Sequence, residues 1–309
     1  MDLDRVAPQL RQPARRAAIP MVERALVRRV VGAATALMPA ARVAGVTIER
    51  RAVGRGVRLY RPSRAGSDGA LLFIHGGGFV IGAAVINDRL CAEAAATLGI
   101  TVLSAEYRLA PEHPYPAALD DVRAAWAGLG AVAASLGVDP ARVVVGGESA
   151  GGGLAAALVA RLHDEGGVQP AGQLLFCPML DDRTAADRTL DEVGHFVWDN
   201  RRNRFGWRSY LAAEPGAPDV PPDAAPARRA SLAGLPPAWI GYGTIELFGA
   251  EDAAYAERLR AAGVAVDEDV VEGAPHGFET WAPDSSLARG HRRRAWAWLG
   301  SVLGVPLAG

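Results

Sequence analysis

Cysteine is nearly absent. Cys91 and Cys177 are the only two in 309 residues, and their spacing matches no metal module. That excludes a disulfide framework and points to a reducing, cytoplasmic compartment. An excess of charge of either sign is missing too, with Lys+Arg 33 against Asp+Glu 34 and a net charge of −1. Nothing here implies a nucleic-acid surface or an acidic tail for a basic partner. No apolar run is long enough to span a bilayer, and no internal repeat is visible. The segment most like a targeting signal is RRVVGAATALMPAA (28–41), arginines ahead of a short apolar stretch. A signal carries its charged region near its start, yet Pro8, Pro13, Pro20 and Glu23 all precede this one. It is read instead as an amphipathic helix over about residues 20–38 that packs an apolar stripe on the body of the protein.

What is present is an ordinary globular composition, 50% hydrophobic and 22% charged, with ample material for a core. VTIERRAV (46–53) and GVRLYRP (56–62) carry β-branched residues around Gly54 and Gly56 and form a hairpin pattern. Strand patterns, several of them apolar throughout, then alternate with helical ones. The strand patterns cover 70–75, 100–107, 142–147, 172–178, 237–243 and 264–273. The helical patterns cover 87–99, 116–137, 149–166, 251–263 and about 284–303. This rhythm implies βαβ units and a mostly parallel central sheet flanked by helices. One stretch breaks it. Residues 181–236 contain a helix-like part (WDNRRNRFGWRSYL, 198–211) and a proline-rich part (PGAPDVPPDAAP, 215–226). A structureless loop of that length is improbable in a compact domain, so a lid or cap is expected.

Three stretches carry chemistry. VVVGGESAGGG (143–153) runs a strand through Gly147-Glu148-Ser149-Ala150-Gly151 into a helix. A sharp turn of this kind lifts a serine hydroxyl clear of a sheet, above a helix N-terminus whose N–H groups favour developing negative charge. Alone, it fits a phosphate-binding or purely structural turn as well. FIHGGGFVIG (73–82) places His75-Gly76-Gly77-Gly78 after a buried strand, where backbone N–H groups can approach an oxygen closely. It lacks the spacing of a dinucleotide fingerprint and the lysine of a P-loop. His276 lies in GAPHGF (273–278), after the last strand pattern, where a general base can reach the serine. Of the other histidines, His163 and His291 lie in helical, charged contexts and are expected at the surface.

Together, HGGGF, YRLAPEHPYPAALDD (107–121), GGESAGG (146–152), PPAWIGYGTIELF (236–248) and APHGF resemble the bacterial hormone-sensitive lipase-like carboxylesterases of the α/β-hydrolase superfamily. The resemblance runs in motif order from about residue 55 to the C-terminus. It implies a cofactor-free and metal-free serine esterase acting on short- to medium-chain acyl esters. It also implies an α/β-hydrolase domain over 46–309, with a helical cap built from residues 1–45 and an insertion at about 182–212. Matched to the family, Ser149 is the nucleophile, His276 the base, and Gly77, Gly78 and Ala150 the oxyanion-hole donors. The family usually has aspartate as the acid; this chain has Glu246 at that position, and Glu148 stands where the family most often has aspartate before the serine. The order Ser149, Glu246, His276 keeps the nucleophile–acid–histidine order of the superfamily. Glu251 and Asp252 compete for the acid role, but as acids at a helix start the helix dipole accounts for them. Phe196, Trp198, Phe205 and Trp207 of the insertion either line an acyl pocket or hold the cap to the core. The same machinery would serve an amidase, arylformamidase or deacetylase. A non-catalytic ligand-binding receptor on this fold is the rival of another class, and the presence of His276 argues against it. The expected partner is a small-molecule acyl ester; a homodimer is compatible with the sequence.

Overall fold

The computed structural model describes residues 2–17, 21–64 and 66–306. A 3₁₀ turn at Leu3–Arg5 leads into α1 (Pro8–Ala14), and α2 spans Ala25–Ala36. This is a shorter helix than the 20–38 pattern predicts, and residue 20 lies outside the described residues. The hairpin follows as β1 (Val46–Arg51) and β2 (Val57–Pro62), then β3 (Ala70–Ile74), α3 (Asp88–Leu98) and β4 (Thr101–Ala105). Next come α4 (Ala117–Leu136), β5 (Val143–Glu148), α5 (Ala150–Glu165) and β6 (Gly172–Phe176). The long insertion holds α6 (Asp182–Ala186) and α7 (Asn200–Leu211), after which β7 (Ala238–Gly243), α8 (Gly249–Ala261) and β8 (Val266–Val271) resume the alternation. The short α9 (Phe278–Trp281) and the long α10 (Ser286–Leu303) close the chain.

The eight strands form one sheet in the order β1-β2-β4-β3-β5-β6-β7-β8. β1, β2 and β4 pair antiparallel; every other pairing is parallel. Strands β3, β4, β5, β6 and β7 are buried along their whole length, which is why they read as unbroken apolar runs. Helices cover both faces and close two cores, one under α4, α5 and α8, the other under α3 and α10.

The register decides where chemistry can happen. Ile74 ends β3 opposite Gly147 of β5, and Gly243 ends β7 opposite Val271 of β8. The loops after β3, β5, β7 and β8 therefore emerge along one edge, the carboxyl ends of the parallel strands, where an open α/β sheet builds its site. A buried ion pair braces this framework. Arg58 of β2 donates from Nε to Asp88 Oδ1 at 2.6 Å, and Asp88 also accepts from Tyr60 and from the Ala41 N–H. The α3 N-terminus is thereby tied to the hairpin with every charge partnered.

Candidate active site

Ser149 sits between the last residue of β5 and the first of α5 with φ 58° and ψ −121°, a region that costs a non-glycine residue on the order of 1–3 kcal/mol. Its neighbours hold it there. Ser149 N donates to Phe176 O at 2.8 Å, and Ser149 O accepts from Met179 N at 2.9 Å. The flanking glycines are required by contact. A Cβ on Gly147 would meet Gly151 O at 2.3 Å, and one on Gly151 would meet Ile74 O at 2.1 Å.

His276 lies in the turn after β8, just before Gly277 at φ 65°. Its Nε2 is 2.9 Å from Ser149 Oγ and its Nδ1 is 2.6 Å from Glu246 Oε2. An ionised carboxylate only accepts, so Nδ1 carries the hydrogen and Nε2 is left to accept from the serine hydroxyl. The Phe248 ring stands edge-on to the imidazole at 5.2 Å, and Trp281 Nε1 donates to His276 O at 2.7 Å. All three side chains are nearly fully buried. Of the candidate acids, Glu246 is the one hydrogen-bonded to the imidazole.

The glycine loop lies directly above. Gly77 and Gly78 have φ of 118° and 59°, and a Cβ on Gly77 would strike Ile81 O at 2.0 Å. His75 supports the loop without facing the cavity. Its ring stacks on Tyr107 at 4.2 Å, and its Nδ1 donates to Gly76 O at 2.8 Å. Burial pushes its pKa down, so it stays neutral. A cavity of about 250 Å³ is lined by Gly77, Gly78, Ser149, His276, Trp198 and Trp281, among others. Ala150 is buried at the start of α5, next to the serine. A larger groove of about 420 Å³ between β1, β2 and α4 is lined by Arg51, Val57 and Leu136, away from Ser149.

Several expectations change. Glu251 and Asp252 are buried, not helix-start surface charges. Glu251 accepts from the N–H groups of Leu180 and Asp181 and so pins the chain where it leaves β6. Burial raises both acids well above the usual carboxylate range. His291 is fully buried too, with its ring among Phe176, Trp239 and Phe278 and its Nδ1 2.8 Å from Asp269. The four aromatics divide. Trp198 lines the cavity and sits where a Gly78 side chain would go, while Trp207 is buried against Phe79. Phe205 lies under the Arg28 guanidinium at 5.5 Å, and Phe196 packs with the cluster around Val6 and Leu10.

Sequence reasoning missed how Glu148 is used. It accepts from Asn87 Nδ2 and from Thr280 Oγ1, fastening the Ser149 turn to the segment before α3 and to α9. Burial raises its pKa. It also overlooked Cys177, which with Glu246 and His276 sets one potential ligand atom each within 4.8 Å of one another. The imidazole and carboxylate already bond each other, and burial pushes the thiol pKa up, which disfavours the thiolate a metal would need.

The comparisons agree with this architecture. Residues 71–280 match the family described as alpha/beta hydrolase fold. The carboxylic ester hydrolase LipN of Mycobacterium tuberculosis is 38% identical over 72% of this chain, a match that spans 60% of LipN's own length. The carboxylesterase NlhH of the same species is 36% identical over 76% of each chain. Among solved structures, a bacterial heroin esterase superposes with a TM-score of 0.86 at 34% identity, covering 97% of this chain and 99% of that one. The esterase LipW of Mycobacterium marinum gives 0.85 at 32% identity, covering 97% and 96%. With its fold, motif order and relatives in agreement, the chain belongs to the α/β-hydrolase family, in its hormone-sensitive lipase-like branch of ester hydrolases.

Proposed function

We propose that the protein is a serine carboxylesterase that hydrolyses short- to medium-chain acyl esters through an acyl-enzyme on Ser149. The observation that carries this reading is the unbroken series of hydrogen bonds from Ser149 Oγ through His276 to Glu246 on the floor of a glycine-roofed cavity. His276 Nε2 takes the hydroxyl proton as Ser149 attacks the ester carbonyl, and Glu246 stabilises the imidazolium that forms. The N–H groups of Gly77, Gly78 and Ala150 receive the oxyanion. The protonated His276 then gives its proton to the departing alcohol. Water activated by the same imidazole releases the acid. Residues 1–45 and about 182–212 act as the cap. Ala17 from the first and Val197 and Trp198 from the second reach the cavity wall, which supports that role. At about 250 Å³ the cavity lies just below the usual range for ligand pockets, favouring short acyl groups.

A series of p-nitrophenyl esters graded by acyl length tests the reading. Wild type should turn over the short members best, and Ser149→Ala should lose turnover on all of them. Faster cleavage of the matching anilides than of the esters would move the protein to the amidases. No turnover of either by wild type would favour the receptor reading.

A further inference from the structure

Three buried oxygens without a donor belong to two neighbouring acids, Glu246 and Asp252. Glu246 uses Oε2 on the imidazole, while its Oε1 has no donor. Asp252 is fully buried and neither of its carboxyl oxygens has one. Glu246 lies just before α8 and Asp252 in its first turn, where Asp252 N donates to Phe248 O at 2.9 Å, and the two carboxyl groups interact strongly enough that each bears on the other's proton. Two carboxylates cannot bond each other, since both only accept. Buried polar atoms in native proteins are almost always partnered, and a single proton between the two groups gives the Glu246 oxygen a donor and turns an orphaned carboxylate into an acid with a partner.

We propose that Asp252 is held as the neutral acid and donates its O–H to Glu246 Oε1, locking the rotamer that aims Oε2 at His276. Asp252 is then a positioning residue. It rests on the Ser149–His276–Glu246 reading proposed above and explains how that reading works with a glutamate. Glutamate has one more rotatable bond than aspartate, so it loses more rotamer freedom when a single geometry is imposed. A second hydrogen bond on the far oxygen offsets that cost.

The surroundings place the proton on Asp252. Glu246 accepts the imidazole N–H; Asp252 receives nothing. Burial, then the Glu246 charge, then Glu251 and Glu268 push the Asp252 carboxyl well above its usual range. Tyr242 from β7 and Cys177 after β6 also face this group, and burial raises both, so they stay protonated well into the alkaline range. The sequence contains no lysine, so no amine side chain titrates nearby. An acid with a raised pKa is neutral at low and middle pH and ionises only above the raised value. There Glu246 would lose its donor and face a like charge, and kcat should fall.

Two substitutions of nearly the same shape test this. Asp252→Asn keeps an N–H donor and has nothing to titrate. Asp252→Leu removes the donor. We expect Asp252→Asn to turn over near the wild-type rate at pH 7 but to lose the alkaline fall in kcat. We expect Asp252→Leu to lower kcat roughly ten- to hundredfold at unchanged KM, as loss of a supporting partner does at other sites. If the leucine variant does not fold, as judged by circular dichroism melting, the pH profile of the asparagine variant decides. A leucine variant at wild-type kcat, or an asparagine variant with the wild-type alkaline limb, overturns the proposal. The parent reading is tested separately. Full activity in Glu246→Gln would remove the relay itself, whereas loss in Glu246→Gln with both Asp252 variants unchanged would remove the role of Asp252 alone.

Discussion

Glu246 meets His276 at 2.6 Å although the turn after β7 usually carries aspartate in this family. In the arrangement proposed above, the extra methylene is accommodated because the carboxylate is held from both sides, by the imidazole at Oε2 and by the Asp252 O–H at Oε1. Charge, more than length, should therefore be what the site requires. Glu246→Gln keeps the shape and removes the charge that stabilises the imidazolium. It should fold normally and lose kcat by a factor on the order of 10²–10⁴. Glu246→Asp should keep part of the activity. Stopped-flow hydrolysis of a p-nitrophenyl ester by both variants measures the difference, and the order glutamine above aspartate would contradict the argument. The motifs around Ser149 and Glu246 were legible in the sequence because each follows an unbroken apolar strand, and that around His276 because it follows the last strand pattern. The burial of Asp252 was not, because an acid in the first turn of a helix looks the same whether it meets water or another carboxyl.

Apart from α2, which is shorter than its pattern, the main strands and helices formed where the sequence patterns placed them. β5 and β7 begin within one residue of their sequence patterns, and α10 spans Ser286–Leu303 against an expected 284–303. What the pattern concealed is which face a charged helix turns inward. His291 sits in the run RGHRRR, which reads as solvated, yet its ring is inserted between β7 and α9 and bonded to Asp269 of β8. Only the packing of α10 on the sheet reveals that. Burial lowers the His291 pKa, despite the opposing effect of Asp269. A base whose folded pKa lies below its unfolded value contributes fully above the unfolded value, about 6.5, and loses that stability as pH falls. His75 is shifted the same way by burial. The raised carboxyls of Glu251 and Asp252 act in the opposite direction in both proteins, so the prediction is a difference: on going from pH 7.5 to 5.5, the melting temperature of His291→Phe should rise relative to that of wild type. An unchanged slope in the variant would mean that His291 already accepts a proton in the folded protein.

At the scale of the whole molecule, the chain closes on itself near the site. Val6, Leu10 and Ala14 are buried against Ile245, Val271, Ala274 and Phe278, and Ala7 N donates to Gly273 O at 2.8 Å. The first helix thus packs under the two loops that carry Glu246 and His276. The sequence showed a segment outside the α/β alternation but not this contact, which joins residues more than two hundred positions apart. Removing residues 2–17 should expose that cluster, at a cost of roughly 1.5–3 kcal/mol for each of Val6 and Leu10. It should also broaden the acyl-length profile, because Ala17 lies on the cavity wall. Thermal melting and the ester series measure the two effects; a truncated chain with unchanged stability and profile would separate this segment from the site. The most direct measurement of the central claim is the intact mass of protein treated with a fluorophosphonate. The account predicts one adduct per chain, located on Ser149 by peptide mapping and absent from Ser149→Ala. Undiminished labelling of Ser149→Ala would contradict it.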